Sequence, residues 1–141
     1  MNIYRVTKEN QLKDAYNVRK IVFVDEQNVP PEMELDEHDE TAVHFVGYFE
    51  DRPIAASRLR FVDQYGKLER ICVLKEERGK HYGIQMINQM EQYLIDQGVK
   101  KAKLNAQTHA ETFYKILGFQ TVSDEFMDAG IPHVTMVKDL S

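Results

Sequence analysis

Apolar residues recur along the chain at two periods, and the switches between them lay out a series of elements. Leu12, Ala15, Val18 and Val22 return at helical spacing, which predicts an amphipathic helix from Asn10 to about Val24, after a short strand over Ile3–Val6. Pro30 and Pro31 are expected to end regular structure there. "AVHFVGYFE" reads as a strand, "DRP" as a turn and "IAASRLRFV" as a second strand, together a hairpin. Alternation puts Arg58 and Arg60 on one face of that second strand and Ala55, Ser57, Leu59 and Phe61 on the other. "QYG" makes another turn before the strand "KLERICVL". Ile84, Ile87, Met90 and Leu94 form the stripe of a second helix, which Gly98 is placed to stop. The strand "VKKAKLNA" after it predicts a parallel pair with a right-handed crossover. "HAETFYKIL" is a short helix ended by Gly118, and "FQTV" and "HVTMVK" are closing strands. The order β-α-βββ-α-β-α-ββ describes one mixed α/β domain over residues 1–141, with one central sheet.

Composition narrows the class. With 43% hydrophobic and 29% charged residues, the chain reads as an ordinary globular protein. No apolar run approaches the roughly 20 residues of a membrane span, and "MNIYRVTKEN" lacks a secretory signal, so a cytoplasmic setting is expected. Cys72 is the single cysteine, which excludes an internal disulfide and a C-x-x-C site. A net charge of −5 argues against a nucleic-acid binder. "PPEMELDEHDE" crowds six carboxylates into one segment: either a solvated loop, or an acidic wall that draws a cationic substrate. It lacks the spacing of a calcium loop, and His44, His81 and His109 show no ligand spacing, so no metal is expected.

The stretch "EERGKHYGIQM" concentrates chemistry. Two of seven glycines and three cationic or imidazole side chains stand at the mouth of the second helix. A helix start offers unpaired N–H groups and partial positive charge, and glycine lets the backbone approach an anion. Gly83 is followed by Ile84 and Gln85, which excludes a P-loop, and the glycines are too few for a dinucleotide fingerprint.

"RICVLKEERGKHYG" and "FYKILGF" together resemble the GCN5-related N-acetyltransferase (GNAT) family, whose phosphate loop reads [QR]-x-x-G-x-[GA]. Arg78 and Gly83 match, and His81 stands where the family usually has its middle glycine. Ala110, Phe113, Tyr114, Gly118 and Phe119 fall in the family's A-x-x-[LF]-Y-x-x-x-G-F pattern. "RKIVFVDEQNVPPEMELDEHDETAVHF" and "DAGIPHVTM" look like the small bacterial YjcF/ElaA-type branch. The resemblance implies the acyl-CoA N-acyltransferase fold, a mixed and mostly antiparallel sheet with a splayed parallel pair flanked by helices. It implies acetyl-CoA as donor, with no metal.

The resemblance also assigns roles. The pyrophosphate would lie on the loop Arg78, Gly79, Lys80, His81, Tyr82 and Gly83, with Ile84 and Phe113 beside it. The strand Ile71, Cys72, Val73 would run along the pantetheine, and Asn105 would hydrogen-bond it. Tyr114 matches the family's general acid to the departing sulfur. The amine must lose a proton to attack, since its pKa is about 10, and either Glu69 or His133 is the candidate base. Glu26 and Arg58 are candidates for the acceptor site, although Arg58 would equally pair with the acidic segment. Cys72 reads as a small core residue, not a nucleophile. The expected function is acetyl transfer to a primary amine of a small molecule, by a monomer or homodimer. An acyl-homoserine-lactone-synthase-like enzyme and a non-catalytic CoA-binding module are the alternatives.

Overall fold

The computed structural model describes all residues from 1 to 141. Its strands are β1 (Asn2–Arg5), β2 (Val43–Phe49), β3 (Arg52–Val62), β4 (Tyr65–Val73), β5 (Lys101–Gln107), β6 (Gln120–Thr121), β7 (Phe126–Asp128) and β8 (Ile131–Asp139). The helices are α1 (Glu9–Arg19), α2 (Pro31–Glu34), α3 (Tyr82–Asp96) and α4 (Glu111–Ile116). One sheet runs in the order β1-β2-β3-β4-β5-β8-β6, with β7 pairing β8, and every pairing is antiparallel except β4 with β5.

Several expectations shift. The first helix continues past Arg19 as a π-helical stretch, Lys20–Glu26, which widens the turn and buries Val22. Pro31 does not end structure but opens α2, at the first helical position where a missing N–H costs nothing. The two hairpin turns lie one or two residues earlier than read, at Glu50–Asp51 and Asp63–Gln64. All four residues there have positive φ without a glycine to signal it. β7 was not foreseen, because three residues carry no period. The buried stripe of α3 is Met86, Ile87, Met90 and Leu94, leaving Ile84 toward the cleft described below.

The sheet is covered on both faces, which is why Ile54 to Leu59 of β3 is buried without a break. On one face lies α3: a Cβ on Gly66 would fall 2.2 Å from a Leu94 methyl, so the glycine lets helix and sheet touch. Phe45 meets Tyr93 there, edge to face. On the opposite face lies α1, with Tyr16 against His44 and Asp14 accepting from Tyr48. The core is one cluster that runs through the sheet between these layers. No helix is long and apolar enough to cross a membrane.

Candidate active site

The site begins where the sheet comes apart. β4 and β5 pair only at Gly66, Lys67 and Leu68 with Ala102, Lys103 and Leu104. Just beyond, the β3–β4 register slips between the Arg58–Glu69 and Ala56–Cys72 pairs, and Arg70 takes φ 55°. That is a β-bulge, and it bends β4 away from β5. From Glu69 to Val73 the strand therefore has no partner on its β5 side, and its backbone groups there face a cleft of about 650 Å³. Its lining draws on both sides of the sheet, with Val22 and Phe23 from the α1 side and Tyr82, Ile84 and Phe113 from the α3 side.

On the α3 face, the cleft meets the helix start. Gly79 has φ 82° and His81 has φ 66°, so the loop turns twice through the left-handed region before α3. The second position explains the family's usual glycine. Here His81 holds the same backbone conformation at a cost of about 1 kcal/mol. A Cβ on Gly83 would meet nothing nearer than Phe113 at 4.0 Å, which suits a position the motif shares with alanine. The unpaired amides of a 15-residue helix face this end, a built-in anion site. Tyr114 lines the cleft with its ring between Phe113 and Phe119, centroids 5.1 and 5.9 Å away. Burial pushes its phenol up to about 12.

On the α1 face, alternation along β5 and β8 presents Asn105 and Gln107 beside Thr135 and His133. Thr135 donates to Asn105 Oδ1 at 2.8 Å, which leaves the Asn105 amide N–H groups for a ligand. His133 Nδ1 lies 2.7 Å from the carbonyl oxygen of Ile131, so Nδ1 donates and Nε2 of the neutral ring keeps its lone pair. The ring stacks on Phe126 and lines the cleft. Gln107 Nε2 donates to Gln27 Oε1 at 3.1 Å, bridging the end of β5 to the end of the π-helical stretch. Gln107 stands where the family pattern usually has Asn, but Gln27 carries no signal in the sequence, because only tertiary structure brings the two together.

The residues 11–140 match the family model described as an acetyltransferase (GNAT) domain. The chain belongs to the GNAT acetyltransferase family. YjcF of Bacillus subtilis, named as an N-acetyltransferase, is 50% identical over 132 residues, covering 93% of this chain and 94% of its own. The crystal structure of Escherichia coli ElaA superposes with a TM-score of 0.85 at 28% identity, over 97% of this chain and 98% of that one. An aminoglycoside 6'-N-acetyltransferase solved in complex with coenzyme A shares the fold, at a TM-score of 0.80 and 13% identity over 100% and 98% of the two chains. The branch and the fold implied by the motifs are those found.

Within this GNAT domain, three expected residues sit differently from their assignments. The acidic segment divides: Glu32, Glu37 and Glu40 are exposed, as in a solvated loop, while the others turn to the protein. Glu34 and Asp39 are buried and fold inward onto Arg19, which is fully buried, at 2.6 and 2.7 Å. Arg58 is buried too, held by Asp36 at 2.7 Å, Asp39 at 3.1 Å and Glu69 at 2.6 Å, so it meets the acidic segment and does not reach the cleft. Glu69 does line the cleft, but Arg58, Arg60 and Lys67 occupy its oxygens. Burial works against its ionisation, yet Arg58 and Lys67 hold its carboxyl below the ordinary range, which makes it a poor proton acceptor. Glu26 stands outside the cleft lining, bound at both oxygens by Arg78 at 2.7 Å. Arg78 also donates to the carbonyl of Val73, which fixes the loop to the end of β4. Cys72 is buried and its thiol is pushed up to about 12 by burial, as befits a core residue.

Proposed function

We propose that this protein transfers the acetyl group of acetyl-CoA directly to a primary amine of a small molecule. The observation that carries the reading is the cleft at the β4–β5 splay, with a helix start on one side and an imidazole lone pair on the other. The residues fit the donor in order. The Gly79–Gly83 amides receive the pyrophosphate, the β4 edge that β5 leaves open at Ile71 and Val73 pairs with the pantetheine amides beside the Arg78 contact to the Val73 carbonyl, and Asn105 donates across the gap. A β4 backbone N–H beyond Leu68 faces the thioester carbonyl and stabilises the negative charge that develops on its oxygen.

His133 Nε2 takes the proton of the attacking ammonium, and the amine nitrogen bonds to the acyl carbon. When the carbon–sulfur bond of the tetrahedral adduct breaks, the electron pair goes to sulfur, which takes the Tyr114 phenol proton, and the second proton of the attacking nitrogen is lost to water, which returns a proton to the phenolate as the amide forms. A phenol kept protonated by burial suits that role. Much of the acceleration comes from holding both reactants in one cleft.

The test is release of free thiol from acetyl-CoA across a panel of primary amines, with the acetylated amine identified by mass spectrometry. Amine-dependent release that falls roughly 10²-fold or more in kcat on His133→Gln, at unchanged donor KM, is expected for a general base. Tight coenzyme A binding with no amine acetylated would make the protein a binding module instead.

A further inference from the structure

Four carboxylates line the cleft: Glu34, Glu69, Glu77 and Asp128. Three are neutralised. Glu34 pairs with Arg19, Glu69 with Arg58, Arg60 and Lys67, and Glu77 with Arg52 and Lys80. Asp128 alone has no ion pair and no side-chain hydrogen bond. The cations lining the cleft are equally committed. Arg70 donates to the carbonyls of Met33 and Glu34 and to Asp36, Lys67 is on Glu69, and Arg78 is on Glu26. His109 is hydrogen-bonded to Gln107, and His81 lies on the α3 side. Asp128 is exposed to solvent, so one unpaired negative charge is left at the mouth of the cleft.

Its position is set by the hairpin that the sequence did not reveal. β7 pairs β8 with Phe126 opposite His133 and Asp128 opposite Ile131, across a turn with φ 52° at Ala129 and 77° at Gly130. Residues two apart on a strand share a face, so Asp128, Ile131 and His133 point the same way. All three line the cleft, on the side away from α3. Asp128 and His133 are diagonal neighbours, about 7–8 Å apart at the backbone.

That spacing says what the charge is for. The amine that reacts gives its proton to His133 and attacks as a neutral nitrogen, so Asp128 meets that charge only on the imidazolium one diagonal away and keeps no ion pair with the reacting nitrogen itself. We infer that Asp128 anchors a second positive charge on the acceptor, which makes the preferred substrate a diamine or another amine bearing a separate cationic group. Such a pair persists through the transition state and so raises kcat/KM. Phe23, Val29 and Met33 also line the cleft and give it apolar surface that suits a carbon chain. The inference rests on the acetyl-transfer reading above.

The probes are 1,4-diaminobutane and butylamine, which share a four-carbon chain and differ in the second ammonium. In the parent protein, kcat/KM should favour the diamine by about tenfold, the worth of one charge-assisted hydrogen bond in a partly screened site. In Asp128→Asn, which keeps the shape and removes the charge, that preference should fall to near unity. Calorimetry on the protein saturated with coenzyme A should show the same loss in diamine affinity. A preference equal in the two proteins, or absent from the parent, would overturn the anchor. Should neither amine release thiol, the chemistry falls, and the calorimetry alone decides the anchor: a loss specific to the diamine upholds it, and equal binding overturns it.

Discussion

Tyr114 carries the sharpest single-residue expectation. Its hydroxyl is the only part of the side chain that Phe would lack, and the aromatic contacts with Phe113 and Phe119 survive the change. Tyr114→Phe should lower kcat by roughly 10²-fold while coenzyme A affinity, measured by calorimetry, stays near the parent value. Full turnover in that variant would leave Tyr114 as packing. At this scale the sequence was readable where a residue type is demanded by local geometry. The glycine-and-cation cluster marked the helix mouth, and the histidine in the family's glycine position proved to hold the left-handed turn a glycine would. It was unreadable where a charge has two plausible partners. Arg58 and Glu69 look alike as site or scaffold until the register places them opposite one another, and only then does the choice fall to scaffold.

Among elements, α1, α2 and the β3–β4 hairpin are joined by charge as much as by apolar contact. Arg19 and Arg58 sit among Glu34, Asp36, Asp39 and Glu69, and Arg70 closes the group by binding the α2 carbonyls from the bulge. Every charge in this cluster has a partner, and removing one strands the rest. Arg58→Met should therefore cost about 3–5 kcal/mol of unfolding free energy, read from urea titration. A loss under about 1 kcal/mol, the size of a surface pair, would show that the cluster is solvated after all. Neutralising Glu34, Asp36 and Asp39 would unsettle the fold before it could report on substrate steering. The period of apolar residues found all the long elements, since their stripes are core. It missed α2 and β7, whose positions depend on Arg19 below the one and β8 beside the other.

For the molecule as a whole, the same cluster sets the response to acid. Burial opposes ionisation of Asp39, yet hydrogen bonds from Arg19 and the Asp36 amide, with the charge of Arg58, hold its carboxyl well below the usual carboxylate range. A carboxyl lowered on folding stabilises above its unfolded pKa of about 4 and loses that contribution as pH falls. His44 adds an earlier step. Burial foremost, then the nearby arginines, lowers its pKa, so below about 6.5 the unfolded chain takes up a proton the folded one refuses. The urea midpoint should thus decline from pH 7 to 5 and more steeply below 4. A flat midpoint between pH 7 and 5 would remove His44 from this account. The splay has a further meaning when the sheet is viewed as a fabric. Strands β1–β4 and β5–β8 are sewn together along the sheet by three residue pairs, and the remaining stretch of seam is left open. A linear, amide-bearing guest laid in that opening would supply the hydrogen bonds of an absent strand, so under the proposed acetyl transfer the donor would be at once cargo and a temporary stitch between the two halves of the cloth.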